Sequence, residues 1–316
     1  MHRLPLALIA LTAAFAAAPD RYANAQIRTG PEPGVRYSSG LTVCDEALRD
    51  GRWINRYWLS TGLIKPEFHL AGERRSAIPA DAFELSIEGQ DLAGTWKWIR
   101  ASQEPVTTPA RGTLVTVELE STARPIAVKL RTLLSGGPVL VRWLEITNRG
   151  PKTTAITRVS PWSGTLWNTT TFRERIPAGS APFEAATAEY QEWGHEGAWR
   201  FLPLTNQTIT AAGTRGKSGW GHPTFFAHNQ ATGEWFAASL GYSGNWKLSL
   251  TAITPDDQDR ASLHFSLGLA ATDAALRVLQ PNESARTPET HITVSSSDLD
   301  HLIQSLHDHV RRDALL

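Results

Sequence analysis

A single cysteine, Cys44, and a single methionine, Met1, stand in a chain of 316 residues. One thiol excludes an internal disulfide, so the fold must rest on its core and not on covalent staples. An unpaired cysteine of this kind reads as buried and inert. Charge of one sign is lacking too, since 31 basic residues balance 31 acidic ones. That balance leaves no electrostatic footprint for nucleic acid or for an anionic membrane. After the first 25 residues no apolar run approaches the ~20 residues that a bilayer span requires, so no membrane attachment is expected of the mature protein. Metal-ligand spacing is missing as well. His301, His307 and His309 fall on one helical stretch, but His307 and His309 are two positions apart and diverge, while His301 is six from the nearer of them. Facing ligands need three- or four-residue spacing. Neither a metal site nor a cofactor is read here.

What is present begins with a leader. Arg3 supplies a positive start, Leu6 to Ala18 is an uncharged apolar run, and Ala23-Asn24-Ala25 is a small-x-small triplet. This is the pattern of a secretory signal cleaved before Gln26. The product is expected to be secreted or periplasmic, with residues 1–25 removed. The leader carries Arg3, Arg21 and Asp20, which leaves 29 basic and 30 acidic residues in the mature chain.

The body reads as β-structure. In TLVTVELES, Val115, Val117 and Leu119 alternate with polar residues, and in IAVKLRTLL, Ile126, Val128 and Leu130 do the same. VLVRWLEITNRG ends in an Asn148-Arg149-Gly150 turn. SGNWKLSLTAI leaves a Gly244-Asn245 turn with Trp246, Leu248 and Leu250 on one face, and SLHFSLGLA repeats that period with Leu263, Phe265, Leu267 and Leu269. A period of two belongs to half-buried strands, and many short strands between turn signals point to a sandwich or barrel. Residues 26–40 read as a loosely held lead-in and 41–294 as the β domain. From 295 to 316 the period changes: Leu299, Leu302, Ile303, Leu306 and Val310 make the apolar stripe of a helix, with Ser297 and Asp300 as its capping box. The 12 tryptophans are the compositional outlier. About two thirds are expected in the core, with the others free to stack on sugar rings.

Four stretches, VLVRWLEITNRG, GEWFAASLGYSGNW, LQPNESARTPETHI and LHDHVRR, occur here in one order. Together they resemble the N-terminal β-supersandwich domain of glycoside hydrolase family 36, the retaining α-galactosidases. The chain departs from that pattern at Asn282 in QPNES, where the family commonly has Gly, and at GKSGWGHP, where it often has a Ser/His-rich turn. The resemblance covers roughly Ser39 to Arg312. It implies an all-β fold, a large antiparallel β-supersandwich like that of galactose mutarotase, closed by one C-terminal helix.

In that family the supersandwich precedes a (β/α)8 barrel whose nucleophile sits in a Lys-x-Asp element. None of the lysines at 65, 97, 129, 152, 217 and 247 begins such a triplet, and retaining hydrolysis needs two carboxyl groups about 5 Å apart. The resemblance therefore implies a non-catalytic domain. Its expected roles are structural support, oligomer contacts and binding of galactosides or other carbohydrates. The alternative is the front half of a split enzyme that works with a separately encoded barrel. A further alternative is a stand-alone mutarotase-like enzyme using His222 with Glu196 or Glu289.

Candidate carbohydrate contacts are Trp193 and Trp199 in YQEWGHEGAWRF, Trp220 and His222 in WGHP, and Tyr242, Asn245 and Trp246 in YSGNW. The helix stripe, if uncovered, predicts self-association into a homo-oligomer.

Overall fold

The computed structural model describes residues 22–60, 80–107, 111–170, 180–188, 199–216, 221–254, 260–270 and 274–314. Three antiparallel sheets carry the chain. The first is a meander of β1 (Ala23–Arg28), β2 (Gly34–Ser39), β3 (Thr42–Arg49) and β4 (Arg52–Ser60). The largest runs in the order β13 (Leu202–Leu204), β12 (Phe183–Thr187), β15 (Thr224–Asn229), β16 (Trp235–Leu240), β21 (Thr290–Ser295), β10 (Leu140–Asn148), β9 (Ile126–Leu134), β8 (Gly112–Ser121) and β7 (Trp96–Val106). A short β20 (Ser284–Arg286) also pairs with β10. The third runs β14 (Gln207–Gly213), β17 (Trp246–Ile253), β18 (Arg260–Leu269), β11 (Thr154–Thr170), β5 (Glu84–Ile87) and β6 (Gln90–Asp91), with β19 (Arg277–Leu279) beside β11.

The alternating stretches become strands for the reason their period suggests. Ile126, Val128, Leu130, Thr132 and Leu134 of β9 are buried while the residues between them stand half out. Trp246, Leu248 and Leu250 of β17 do likewise. Burying one apolar side chain of this size stabilises by about 1.5–3 kcal/mol, so a one-residue slip would expose an entire row. Aromatic contacts tie the sheets together. Phe236 of β16 lies 5.6 Å from Phe265 of β18 and 5.3 Å from Trp58 of β4, and Trp58 lies 5.1 Å from Trp162 of β11.

The structure differs from the sequence reading in three places. The segment read as a loose lead-in forms β1 and β2, whose Val35 and Tyr37 are fully buried. The helix α1 (Leu299–His309) is capped by Asp298, not Ser297: the Asp298 carboxylate accepts the His301 N–H at 2.7 Å. Its stripe is also covered. Leu302 is buried against Phe226 and Ala237, with Leu299, Ile303 and Leu306 packed around them, and only Val310 stands out at 44% exposure. The stripe is therefore packed against the sheet and is not the uncovered face from which self-association was expected.

Candidate functional site

A heavily bonded carboxylate lies at the junction of the three sheets. Glu46 on β3 and Arg142 on β10 are both fully buried and meet in a bidentate pair, 2.6 and 2.8 Å. Trp53 and Trp162 also donate their indole N–H groups to Glu46, at 2.9 and 3.2 Å. Arg142 donates its Nε–H to Thr132 at 3.0 Å, and its guanidinium lies 3.9 Å from the Trp162 ring centroid. Four N–H donors on one carboxylate saturate it. With no exposed atom and no free lone pair to offer, this centre holds sheets together and reaches no substrate. Cys44 lies beside it with its thiol pushed well up, first by burial and then by the Glu46 charge, so it stays an unreactive thiol.

A second buried carboxylate, Glu234, sits where the β15–β16 hairpin meets the end of β4. It accepts from Trp167 Nε1 at 3.0 Å, Ser60 N at 3.3 Å and Thr232 Oγ1 at 3.5 Å. Burial raises its carboxyl to about 7, outweighing these hydrogen bonds. Sequence reasoning passed over Glu234. The available signal was an acidic residue inside GEWFAASL, next to a run of apolar ones.

The candidate contacts are dispersed. Trp193, Trp220 and Glu196 lie outside the described residues. Trp199 is half-buried, edge-on to Phe226 at 4.6 Å, and belongs to the cluster under α1. His222 is exposed, its carbonyl accepting from Thr224 N at 2.7 Å. Glu289 is held by Arg286 at 2.5 Å. Trp246 is a core residue at 1% exposure. Among the described residues no tryptophan is exposed; of the candidate aromatics, Tyr242 is the one that stands out into solvent, at 41%.

Tyr242 and Asn245 belong to one well-tied loop that carries the chain from β16 in the largest sheet to β17 in the third. Gly241 N donates to Glu289 O at 2.7 Å, Ala270 N to Asn245 O at 3.1 Å, and Gly216 N to Asn245 Oδ1 at 2.6 Å. A Cβ at Gly244 would sit 2.4 Å from Tyr242 Cζ, so a side chain there would push the phenol aside. The phenol ring thus lies on the bare backbone of Gly244 and takes its direction from it. Beside it opens a cavity of about 470 Å³ between β10, β11 and β20.

His309, near the end of α1, does not meet the other helix histidines. Its Nε2 lies 2.9 Å from Nδ1 of His291 on β21, and a single proton between the two rings satisfies both.

The fold of this chain also occurs within larger proteins of known structure. It matches a family 36 α-galactosidase from Geobacillus stearothermophilus, solved in complex with stachyose, with a TM-score of 0.66 at 17% identity, covering 89% of this chain and 43% of that one. The fold is that of part of a family 36 α-galactosidase. The galactosidase domain of an α-galactosidase–sucrose kinase gives 0.67 at 16%, over 90% and 44% of the two chains. The α-galactosidase of Lactobacillus brevis gives 0.67 at 13%, over 93% and 42%. This chain thus spans less than half the length of the family 36 structures it matches. No family model and no curated protein matches it in sequence.

Proposed function

We propose that this chain is the N-terminal, non-catalytic supersandwich domain of an α-galactosidase-type glycoside hydrolase, and that it acts with a barrel that carries the chemistry. The observation that carries the reading is the extent of the match: nearly all of this chain lies on less than half of each α-galactosidase. The roles of its own carboxylates support it. Glu46 is saturated by Arg142 and two indoles, Asp45 is held by Arg28 at 2.7 Å, and Glu84 accepts from Ser160 and Ser266 at 2.8 and 2.7 Å. Groups so engaged are poor candidates for a nucleophile and acid pair. A domain of this kind would shape and stabilise one side of the barrel mouth, with secretion placing it among extracellular oligosaccharides.

The test is reconstitution. The purified chain should leave an aryl α-galactoside at the rate of buffer. A barrel with a Lys-x-Asp element, encoded beside this gene or continuous with it, should turn that substrate over only when this domain is present. Turnover by this chain alone would overturn the reading, and so would full activity of the barrel without it.

A further inference from the structure

The stretches that most distinguish the sequence are far apart in the chain but meet at one place. Tyr242 of GYSGNW, Ser284 to Pro288 of NESARTPE and Ile146 of EITNRG all line the cavity between β10, β11 and β20. Nothing in the sandwich core requires this meeting, because Tyr242 is exposed and the cavity opens to solvent. Yet its walls are fixed. Thr287 Oγ1 accepts Leu144 N at 2.9 Å and donates to Pro288 O at 3.0 Å. Arg286 lies flat on Trp143, 4.3 Å from the ring centroid. The Tyr242 loop is tied to the same wall through Gly241 and Glu289.

We propose that this cavity is a binding site for an uncharged saccharide ring, with Tyr242 as its stacking platform. The chemistry selects that class. Half-buried Leu269, Leu276 and Ala285 give the cavity an apolar wall, which with the phenol face suits the C–H side of a pyranose. The rim is polar without net charge: Arg277 is paired with Glu283 at 2.8 Å. Its guanidinium uses one N–H in the bond to the carboxylate and keeps others to donate. An anion would have to compete with the carboxylate and a cation with the guanidinium, while a purely aliphatic ligand would leave the donors unmet. Hydroxyls satisfy both donors and acceptors. The volume falls in the usual range for small-molecule sites, about 300–1,000 Å³.

The experiment is an NMR titration of the ¹⁵N-labelled full chain with methyl α-galactoside, and in parallel with methyl α-glucoside, to about 100 mM. Saturable shifts are expected at amides 242–245 and 284–288, with a dissociation constant on the order of millimolar for either sugar. Tyr242→Ala should weaken binding about tenfold with an unchanged melting temperature, and Tyr242→Phe should keep it, because the ring is what stacks. Gly244→Ala retains the phenol but displaces it and should match Tyr242→Ala. Shifts that are absent or non-saturating with both sugars, or that survive Tyr242→Ala, overturn the proposal. Such a result leaves the accessory-domain reading intact, since that is judged by turnover with the barrel.

Discussion

Glu46→Gln is the sharpest probe of what holds the three sheets together. The substitution keeps shape and removes charge. Glu46 presents two oxygens to four N–H donors: Oε1 faces Arg142 NH1 and Trp162, and Oε2 faces Arg142 NH2 and Trp53. Glutamine keeps one oxygen. Whichever way its amide turns, an NH₂ confronts one guanidinium nitrogen and one indole, and two donors lose their acceptor. Arg142 remains a cation with no exposure and no counter-charge. Removing one member of such a pair costs about 3–5 kcal/mol, a large part of the roughly 5–15 kcal/mol that holds a domain folded. The assay is urea unfolding followed by tryptophan fluorescence, because Trp53 and Trp162 flank the lesion. Glu46→Leu combined with Arg142→Met should cost less than either single change, since an apolar pair leaves no charge stranded. A loss below about 1 kcal/mol for Glu46→Gln, or a double variant whose cost equals the sum of its singles, would refute this account.

Three further outcomes are expected. Glu234 titrates near 7 when folded, against an ordinary 4.5, so its contribution is fully present below pH 4.5 and is lost as pH rises through 7. The gap amounts to about 3 kcal/mol. Glu234→Gln should therefore gain on the wild type between pH 5 and pH 8 in denaturant titrations, and a difference constant with pH would contradict it. His291 behaves in the opposite sense: burial first, and then the His309 charge, lower it to about 4 from an ordinary 6.5. Its contribution is present above pH 6.5 and fades as pH falls towards 4, so His291→Gln should lose less melting temperature than the wild type between pH 7 and pH 5. Equal losses would clear this histidine of acid sensitivity. Finally, a chain that starts at Gln26 forfeits the pairings of Ala23, Asn24 and Ala25 with Ser39, Ser38 and Tyr37, and two buried alanine side chains with them. It should be less stable than one starting at Tyr22 by about 1–2 kcal/mol, net of the ordering entropy. Equal melting curves would mean that this half of β1 contributes nothing.

The parts of the fold legible in the sequence are those written as a local period. The rows of β9 and β17 and the stripe of α1 each repeat within one element, so neighbouring residues reveal which face is buried. The terminal sheet was harder to see. Thr42 through Ala47 of β3 are all buried, which erases the alternation that marks a one-sided strand, and the glycines and prolines between β1 and β2 read as a loose segment. The cap of α1 was misplaced by one residue because Ser297 and Asp298 both suit that role, and the backbone places Asp298 beside the His301 N–H.

The illegible contacts share one property. Glu46 and Arg142 are 96 residues apart, and His291 and His309 are 18 apart. In each case both partners look ordinary until the sheets or the helix bring them together. A buried polar group must find a partner wherever the fold supplies one, so its partner is a property of the topology and leaves no mark at fixed spacing. The cavity beside Tyr242 follows the same rule. Its motifs were visible one at a time, but that they line one wall depends on β20 pairing with β10 and on Gly241 bonding to Glu289. Local pattern therefore reports which surfaces are buried, and long-range pairing decides which polar groups share a site. That is why the exposed phenol, and not any of the described tryptophans, is the aromatic to test first for sugar.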